Sequence, residues 1–207
     1  MLYDLMRSRR SVRRFTPESP PRQALVKLLE AAITAPSASN KQPWRFLVIE
    51  TEERILAMAA AVRQAKERIA RSLPESSVAS FLAYGDYFTR FEEAPVVIVP
   101  IWRRMSILSN LVGPGLAQGD RSAIDSMEET SGLVGASLAL QNMLLMAHQE
   151  GLGASAMTGP LVATAALRDL LEIPGSWGIV AVVAVGYPAE APTPTDRKSL
   201  DNVVRYL

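Results

Sequence analysis

Arg9-Arg10-Ser11-Val12-Arg13-Arg14, close to the amino terminus, is followed by Ala35-Pro36-Ser37-Ala38-Ser39-Asn40-Lys41-Gln42-Pro43-Trp44. These two segments are the most informative in the chain. Together with Arg7, the first segment places five arginines within eight positions, although the formal net charge of the whole chain is only +1. The positive charge is therefore concentrated at one place, and such a concentration indicates an anionic partner.

The arginine cluster has three possible interpretations. It can be a solvated face of the protein, which is the simplest explanation for a run of like charges. It can be a nucleic-acid patch, but that needs an extended basic surface, and the whole chain nearly balances 22 Lys+Arg against 21 Asp+Glu. It can also bind one phosphate monoester, because forked guanidinium donors and a small hydroxyl such as Ser11 suit that group. The third interpretation favours a cofactor tail and no nucleic-acid partner.

The composition restricts the class of protein. At 207 residues, with 48% hydrophobic and 21% charged residues, the chain is long enough for one compact domain with a substantial core. The absence of cysteine excludes disulfides, thiolate metal sites, iron–sulfur clusters and a cysteine nucleophile, and it is typical of a reducing cytoplasm. The single histidine, His148, excludes a multi-histidine metal site, and we interpret it as a helix-end residue.

The sequence predicts neither a secretory signal nor a membrane-spanning helix. Residues 1–7 lack the long apolar region and cleavage site of a secretory signal. The longest uncharged run, Ser131 to Ala147, falls short of the ~20 residues of a bilayer-spanning helix and predicts a buried helix. We therefore expect a cytoplasmic protein with no membrane partner.

Hydrophobic periodicity predicts alternating helices and strands in a single domain over 1–207. The helices are expected at 2–9, 22–34, 52–71, 131–149 and 164–171, and the strands at 46–49, 94–100 and 178–186. The strands at 94–100 and 178–186 are continuously apolar, which is typical of strands covered on both faces. Residues 73–77 are typical of a loop.

The segment 103–129 has no clear periodicity. It contains Gly113-Pro114-Gly115 and Gly119-Asp120, which indicate a mobile excursion from the domain rather than a second domain. Segments of this kind commonly form lids, so we expect a lid-like cover here.

The chain resembles the FMN-dependent nitroreductase family along nearly its whole length. Four segments in the same order carry the resemblance: Arg9 to Phe15, Ala35 to Phe46, Gly151 to Pro160 and Asp196 to Leu200. The resemblance implies an α+β fold in which a mixed sheet is flanked by helices. It also implies an intertwined homodimer, with a long central helix at the two-fold interface and terminal extensions exchanged between subunits.

The resemblance also implies where FMN binds. Its phosphate would be held from the amino-terminal side by Arg9, Arg10, Ser11 and Arg13, and from the carboxy-terminal side by Arg197 or Lys198. The segment that packs on the flavin from the partner subunit corresponds to Pro36, Ser37, Ser39, Asn40 and Gln42. The segment that lies against the isoalloxazine corresponds to Met157, Thr158 and Gly159, where glycine permits a close approach of the backbone.

Two positions depart from some members of the family. Thr158 stands where some members carry an acidic residue. Ser11 stands where relatives that fragment reduced flavin into a benzimidazole tend to carry aspartate, and this counts against that activity.

The resemblance implies an FMN-dependent oxidoreductase that works in two steps. NADH or NADPH would reduce FMN and leave, and a small-molecule electron acceptor such as a nitroaromatic or a quinone would then take the electrons. The cofactor performs the chemistry, so we assign no catalytic acid or base and no metal. The alternatives are an ene-reductase, a reductive dehalogenase or a heterocycle dehydrogenase of the same family, and a flavin-binding protein without enzymatic activity.

Overall fold

A central β-sheet organises the chain, for which a computed structural model describes residues 1–207. Its strands are β1 (Trp44–Ile49), β2 (Val96–Arg103), β3 (Gly153–Met157), β4 (Trp177–Ile179) and β5 (Val182–Gly186). Their order is β1-β2-β5-β3, and β4 also pairs with β2. Every strand pair is antiparallel, and an isolated parallel bridge outside the strand pairs joins Ser11 to Ala154 of β3.

Six helices surround the sheet. They are α1 (Leu2–Ser8), α2 (Arg22–Ile33), α3 (Glu52–Ala70), α4 (Glu75–Gly85), α5 (Gln118–Gln149) and α6 (Thr164–Leu170). Short 3₁₀ turns occur at Ala38–Asn40, Asp86–Glu93, Gly159–Ala163 and Leu200–Asn202. The predicted α+β class is confirmed.

The sheet separates two hydrophobic cores. On one face Val97 and Val99 of β2 belong to a core that includes residues of α3. On the other face Val96 and Ile98 belong to a core that includes residues of α2 and α5. All four side chains are fully buried, so the prediction that this strand is covered on both faces is confirmed.

The strand expected at 178–186 is divided in the structure. Ile179 of β4 pairs with Ile101, and Val183 of β5 pairs with Ile98. The segment from Ile179 to Val183 is therefore one residue longer than the segment of β2 that faces it. Such an extra residue is a bulge. Pro100 lies at this point of β2, and it has no N–H with which to continue the ladder.

Two further predictions about secondary structure were wrong. The loop expected at 73–77 ends at Pro74, because α4 begins at Glu75. The excursion expected at 103–129 is a loop only as far as Ala117, because 118–129 form the first part of α5.

The 32-residue helix α5 has one buried and one exposed apolar face. By length and composition it could cross a membrane, and half of its most apolar window is buried within the fold. Ala136, Ala139 and Met143 lie in the core, whereas Val134 and Leu138 are 50% and 42% exposed. The helix predicted at 131–149 is present, but its apolar surface is not covered on every side within one chain.

Candidate functional site

A cavity of about 560 Å³, here called the arginine cavity, lies at the edge of the sheet next to β3. Its lining includes Ser11, Tyr87, Glu190 and the arginines at positions 9, 10, 13, 14, 90 and 197. The backbone fixes this segment, because the N–H of Val12 donates to the carbonyl of Ala154 in β3 (3.2 Å). The arginines of residues 9–14 are therefore held at the edge of β3 rather than on a free tail.

Three guanidinium groups lie close together in the arginine cavity. Burial lowers the pKa of Arg9, and the nearby charges of Arg197 and Arg10 lower it further. The Nε atom of Arg10 is buried and has no hydrogen-bond partner. A cluster of cations that includes an unsatisfied buried donor is typical of a site for an anion.

The carboxylate of Glu190 lies in the lining of the arginine cavity but forms no ion pair with its arginines. Its Oε1 accepts hydrogen bonds from the backbone N–H groups of Arg13 (2.7 Å) and Arg14 (3.2 Å). Glu190 therefore fixes the chain after Ser11 and accepts no hydrogen bond from a guanidinium group of the cavity.

A second cavity of about 480 Å³, here called the ring-end cavity, adjoins the first. Its lining consists of Arg13, Tyr84, Tyr87, Phe88, Ala156, Met157, Thr158 and Gly159. Arg13 and Tyr87 line both cavities, so the two form one cleft. One end of the cleft is strongly basic and the other is largely apolar and aromatic.

Gly159 has a packing role in the ring-end cavity. A Cβ atom at this position would collide with the ring of Phe88. The ring of Phe88 is itself held by an edge-on contact with Tyr84, at 5.4 Å between centroids. The absence of a side chain at Gly159 therefore allows an aromatic residue to close the cavity wall.

Tyr84, Tyr87 and Arg90 line the cleft although no sequence motif predicts them there. They lie in α4 and in the following 3₁₀ turn, in a stretch of sequence without a matching family motif. The density of aromatic residues between Phe81 and Phe91 is unusual in a chain with 6% aromatic residues, and it could have indicated a binding surface.

The predicted residues of the 36–42 segment lie in neither cavity. Pro36 and Ser37 instead line a groove of about 580 Å³, here called the α5 groove, together with apolar and hydroxyl side chains of α5. The exposed Ser39, Asn40 and Gln42 have φ angles of 51°, 50° and 48°. Such left-handed conformations are uncommon in residues other than glycine and often mark functional loops.

Within one chain, the predicted site residues thus form two groups: those that line the cleft and those of the 36–42 segment. Arg9, Arg10, Ser11, Arg13 and Arg197 line the arginine cavity, and Met157, Thr158 and Gly159 line the ring-end cavity. The 36–42 segment is separate from this cleft, and Lys198 is not part of its lining. Of the two carboxy-terminal candidates, the structure therefore brings Arg197 into the cavity.

His148 lies in the last turn of α5, as predicted for a helix-end residue. Its Nε2 atom is 2.8 Å from the Ser8 hydroxyl. Burial lowers the pKa of His148, and the charges of Arg9 and Arg10 lower it further. The contact between His148 and Ser8 ties α1, which precedes the arginine cluster, to the end of α5.

The loop half of the 103–129 segment is tied to α5 by Glu128, whose side chain is buried. Its Oε1 accepts hydrogen bonds from the N–H groups of Ile107 (2.6 Å) and Ser109 (3.1 Å). Burial on its own would raise the pKa of Glu128, but hydrogen bonds from Ser109 and from the Ile107 N–H outweigh it and lower the pKa to about 2.

Replacing Glu128 with glutamine should destabilise the protein at neutral pH. We expect the free energy of unfolding to fall by about 1–3 kcal/mol, because buried N–H donors lose a charged acceptor. The difference in free energy of unfolding between the variant and the wild type should become smaller as the pH falls from about 4.5 towards about 2, because the wild-type carboxylate is then protonated. Urea unfolding at several pH values measures both effects. The exposed neighbour Glu129→Gln is the control, and an equal loss in both variants would contradict this role.

The Nitroreductase family model matches residues 6–187 of the chain. The chain belongs to the nitroreductase family. Its relatives include an NADH dehydrogenase of Thermus thermophilus, which is 33% identical over 95% of this chain and 91% of its own length. An iodotyrosine deiodinase of Thermotoga neapolitana is 30% identical over 100% of this chain and 97% of its own. The family predicted from the four sequence segments is confirmed.

Solved structures share the fold of this nitroreductase family member. A nitroreductase with bound FMN from Desulfitobacterium hafniense superposes with a TM-score of 0.74, covers 100% of this chain and 97% of its own, and is 21% identical. At that level of identity the similarity concerns the fold alone. It confirms the nitroreductase-like architecture that the sequence predicted.

Proposed function

We propose that this protein is an FMN-dependent oxidoreductase that takes electrons from NADH or NADPH and passes them to an electrophilic small molecule, such as a nitroaromatic or a quinone. The observation behind the proposal is the two-ended cleft. Arg9, Arg10 and Arg197 lie at its basic end, and Met157 to Gly159 lie at the other. Family membership and relatives named for NADH dehydrogenase and NAD(P)H nitroreductase activities support the same conclusion.

The residues of the arginine cavity suit the phosphate of FMN. A phosphate monoester carries a charge of about −1.5 to −2 and three acceptor oxygens. Arg9 and Arg197 offer guanidinium groups, the buried Nε of Arg10 lacks an acceptor, and Ser11 adds a hydroxyl. Arg13 lines both cavities and therefore lies between the proposed positions of the phosphate and of the ring system.

The ring-end cavity suits a planar aromatic group. Tyr84, Tyr87 and Phe88 form one wall of it, and the backbone from Met157 to Gly159 forms another. The bound cofactor supplies the reversible hydride and electron chemistry. The chain would position the ring between the aromatic wall and the Met157–Gly159 backbone, and it would offer Thr158 as a neutral hydroxyl in place of an acid.

We propose a homodimer in which the 36–42 segment of each subunit completes the flavin site of the other. In one chain this segment lies apart from the cleft, its amide side chains are exposed, and its loop is held in a left-handed conformation. The neighbouring α5 groove is apolar and includes Val134 and Leu138. A second copy of the chain would cover this apolar surface. A cytoplasmic location accords with a chain that has no cysteine.

The visible spectrum and a turnover assay test the proposed function. Purified protein should contain FMN that is released on denaturation, and anaerobic NADH or NADPH should bleach the flavin absorbance. A nitroaromatic or quinone should then restore it, with steady consumption of the nucleotide. Bound FAD, or a protein that cannot be reconstituted with FMN, would contradict the cofactor assignment. Bound FMN that neither nucleotide reduces would favour a flavin-binding protein without this activity.

Reductive dehalogenation is the second candidate. The iodotyrosine deiodinase of Thermotoga neapolitana matches the entire chain at 30% identity, which is close to the value for the NADH dehydrogenase. In such a reaction the aryl carbon–halogen bond is replaced by carbon–hydrogen, with two electrons, one proton and release of halide. Chemically reduced holoprotein incubated with an iodophenol tests this candidate, and iodide release at a rate above that of free reduced FMN would favour it.

The 103–129 segment is expected to influence the choice of electron acceptor, because its helical half lines the α5 groove beside Pro36 and Ser37. Shortening the loop around Gly113-Pro114-Gly115 should change kcat/KM among acceptors and leave FMN affinity and dimerisation largely unaltered. A Cβ at Gly113 or Gly115 would meet no neighbour, so the deletion removes little packing. Assays with a set of nitroaromatics and quinones measure the ranking. An unchanged ranking of acceptors would contradict the proposal that this segment covers the substrate site. Loss of FMN would show that the segment supports the cofactor site instead.

A further inference from the structure

The arginine cavity holds more positive charge than one phosphate requires. Six arginines line it, whereas a phosphate monoester carries only about −1.5 to −2. The carboxylate of Glu190 in the same lining and that of Glu93, which pairs with Arg90 (2.6 Å), offset two of these six charges, and the remaining four still exceed what one phosphate balances. A second anionic group is therefore expected in the same cavity.

Five of the six arginines divide into two sets by position, and the sixth, Arg13, lines both cavities. Arg9 and Arg10 are partly buried, and the charge of Arg197 lies close enough to Arg9 to lower the pKa of Arg9. These three form the set that suits the FMN phosphate. Arg14 is exposed, and its guanidinium makes no hydrogen bond or ion pair within the chain. Arg90 is 38% exposed and lies on a different element, the 3₁₀ turn after α4.

Tyr87 relates this second set to the ring-end cavity. It lies three residues before Arg90 on the same turn, is largely exposed and lines both cavities. A nicotinamide must lie against the flavin ring to transfer hydride, so it enters at the ring end. From there the rest of the dinucleotide can pass Tyr87 and reach the arginine cavity on its open side.

We propose that Arg14 and Arg90 bind the pyrophosphate of the nicotinamide dinucleotide, while Arg9, Arg10 and Arg197 bind the phosphate of FMN. This inference rests on the proposed function and adds to it the residues that recognise the electron donor. The pyrophosphate is common to NADH and NADPH, so the two donors should depend on Arg14 and Arg90 alike. Guanidinium groups suit this role because their forked donors match pairs of phosphate oxygens.

Anaerobic stopped-flow reduction of the FMN-loaded protein tests the inference with three donors: NADH, NADPH and the uncharged 1-benzyl-1,4-dihydronicotinamide. The variants are Arg14→Ala, Arg90→Gln and the double variant, with the remote, exposed Arg71→Ala as the control. We expect the apparent Kd of both nucleotides to rise about tenfold per arginine removed, with an unchanged limiting rate of reduction. Reduction by the uncharged donor and the affinity for FMN should stay as in the wild type. Salt should weaken nucleotide binding less in the double variant than in the wild type.

The other possible outcomes would overturn either the inference alone or the proposed function with it. A rise in the Kd of FMN in Arg14→Ala or Arg90→Gln would assign these residues to the cofactor and overturn the inference. Unchanged nucleotide affinity in the double variant, or an equal loss with the uncharged donor, would also overturn it while the proposed function stands. A wild-type holoprotein that none of the three donors reduces would overturn the proposed function, and the inference with it.

Discussion

Replacing Arg9 with alanine should weaken FMN binding by about 1.5–3 kcal/mol, or about 10- to 150-fold in Kd, the range for a hydrogen bond to a charged group. The guanidinium of Arg9 is partly buried beside Arg10 and Arg197, in the arginine cavity. A cation held in such surroundings interacts more strongly with an anion than an exposed one, because water screens the attraction less. Fluorescence titration of the apoprotein with FMN measures the change.

Two variants sharpen the interpretation of Arg9→Ala. Arg71→Ala removes an exposed arginine of the carboxy-terminal end of α3, far along the chain from the site, and FMN affinity should not change. Arg9→Lys keeps the charge but loses the forked donor, so its affinity should lie between those of the wild type and the alanine variant. If Arg9→Ala and Arg71→Ala bind FMN equally well, the phosphate lies elsewhere.

The fold could be predicted where side chains follow a clear period or form continuous apolar runs. The strand around Val97 and Ile98 and the helix that contains Leu25 and Leu28 were recognisable for this reason. β3 was not, since Gly153-Ala154-Ser155-Ala156-Met157 is made of small residues with weak strand preference, and its conformation depends on pairing with β5.

The first part of the long helix α5 has no sequence pattern that predicts a helix. Residues 118–129 lack an apolar period because much of this part of the helix is exposed, and its glycine at position 119 lowers helix propensity. Tertiary hydrogen bonds compensate for this weak helix preference, because Glu128 accepts hydrogen bonds from the preceding loop and thereby joins the two halves of the 103–129 segment. Such a contact between distant residues has no local pattern in the sequence.

The site could be predicted in its basic half and not in its aromatic half. Arg9 to Arg13 and Arg197 form recognisable motifs, and the structure brings them together from opposite ends of the chain. Tyr84 and Tyr87 belong to no motif, and they reach the cleft because α4 and the following turn pack beside Gly159. The placement of an aromatic wall thus depends on the absence of a side chain elsewhere in the sequence.

The separation of the 36–42 segment from the cleft connects cofactor binding with assembly. If its amide side chains address FMN, they must do so on a neighbouring subunit, because within one chain they lie outside the arginine and ring-end cavities. The same segment lies beside the exposed apolar face of α5, through Pro36 and Ser37. Disruption of that face should therefore remove both the dimer and the bound flavin.

Replacing Val134 with glutamate should convert the protein from a dimer into a monomer that does not retain FMN. Val134 is 50% exposed in one chain and lies in the α5 groove, so a carboxylate there would have to be buried without a partner when two copies meet, at a cost of several kcal/mol. Light scattering should give about 22.5 kDa for the variant and twice that mass for the wild type. The matched control is Leu56→Glu on α3, where a similarly exposed apolar residue lies outside the groove and the dimer should persist. A Val134→Glu monomer that still binds FMN with wild-type affinity would refute the shared site, since a single chain would then hold the cofactor without the partner's 36–42 segment.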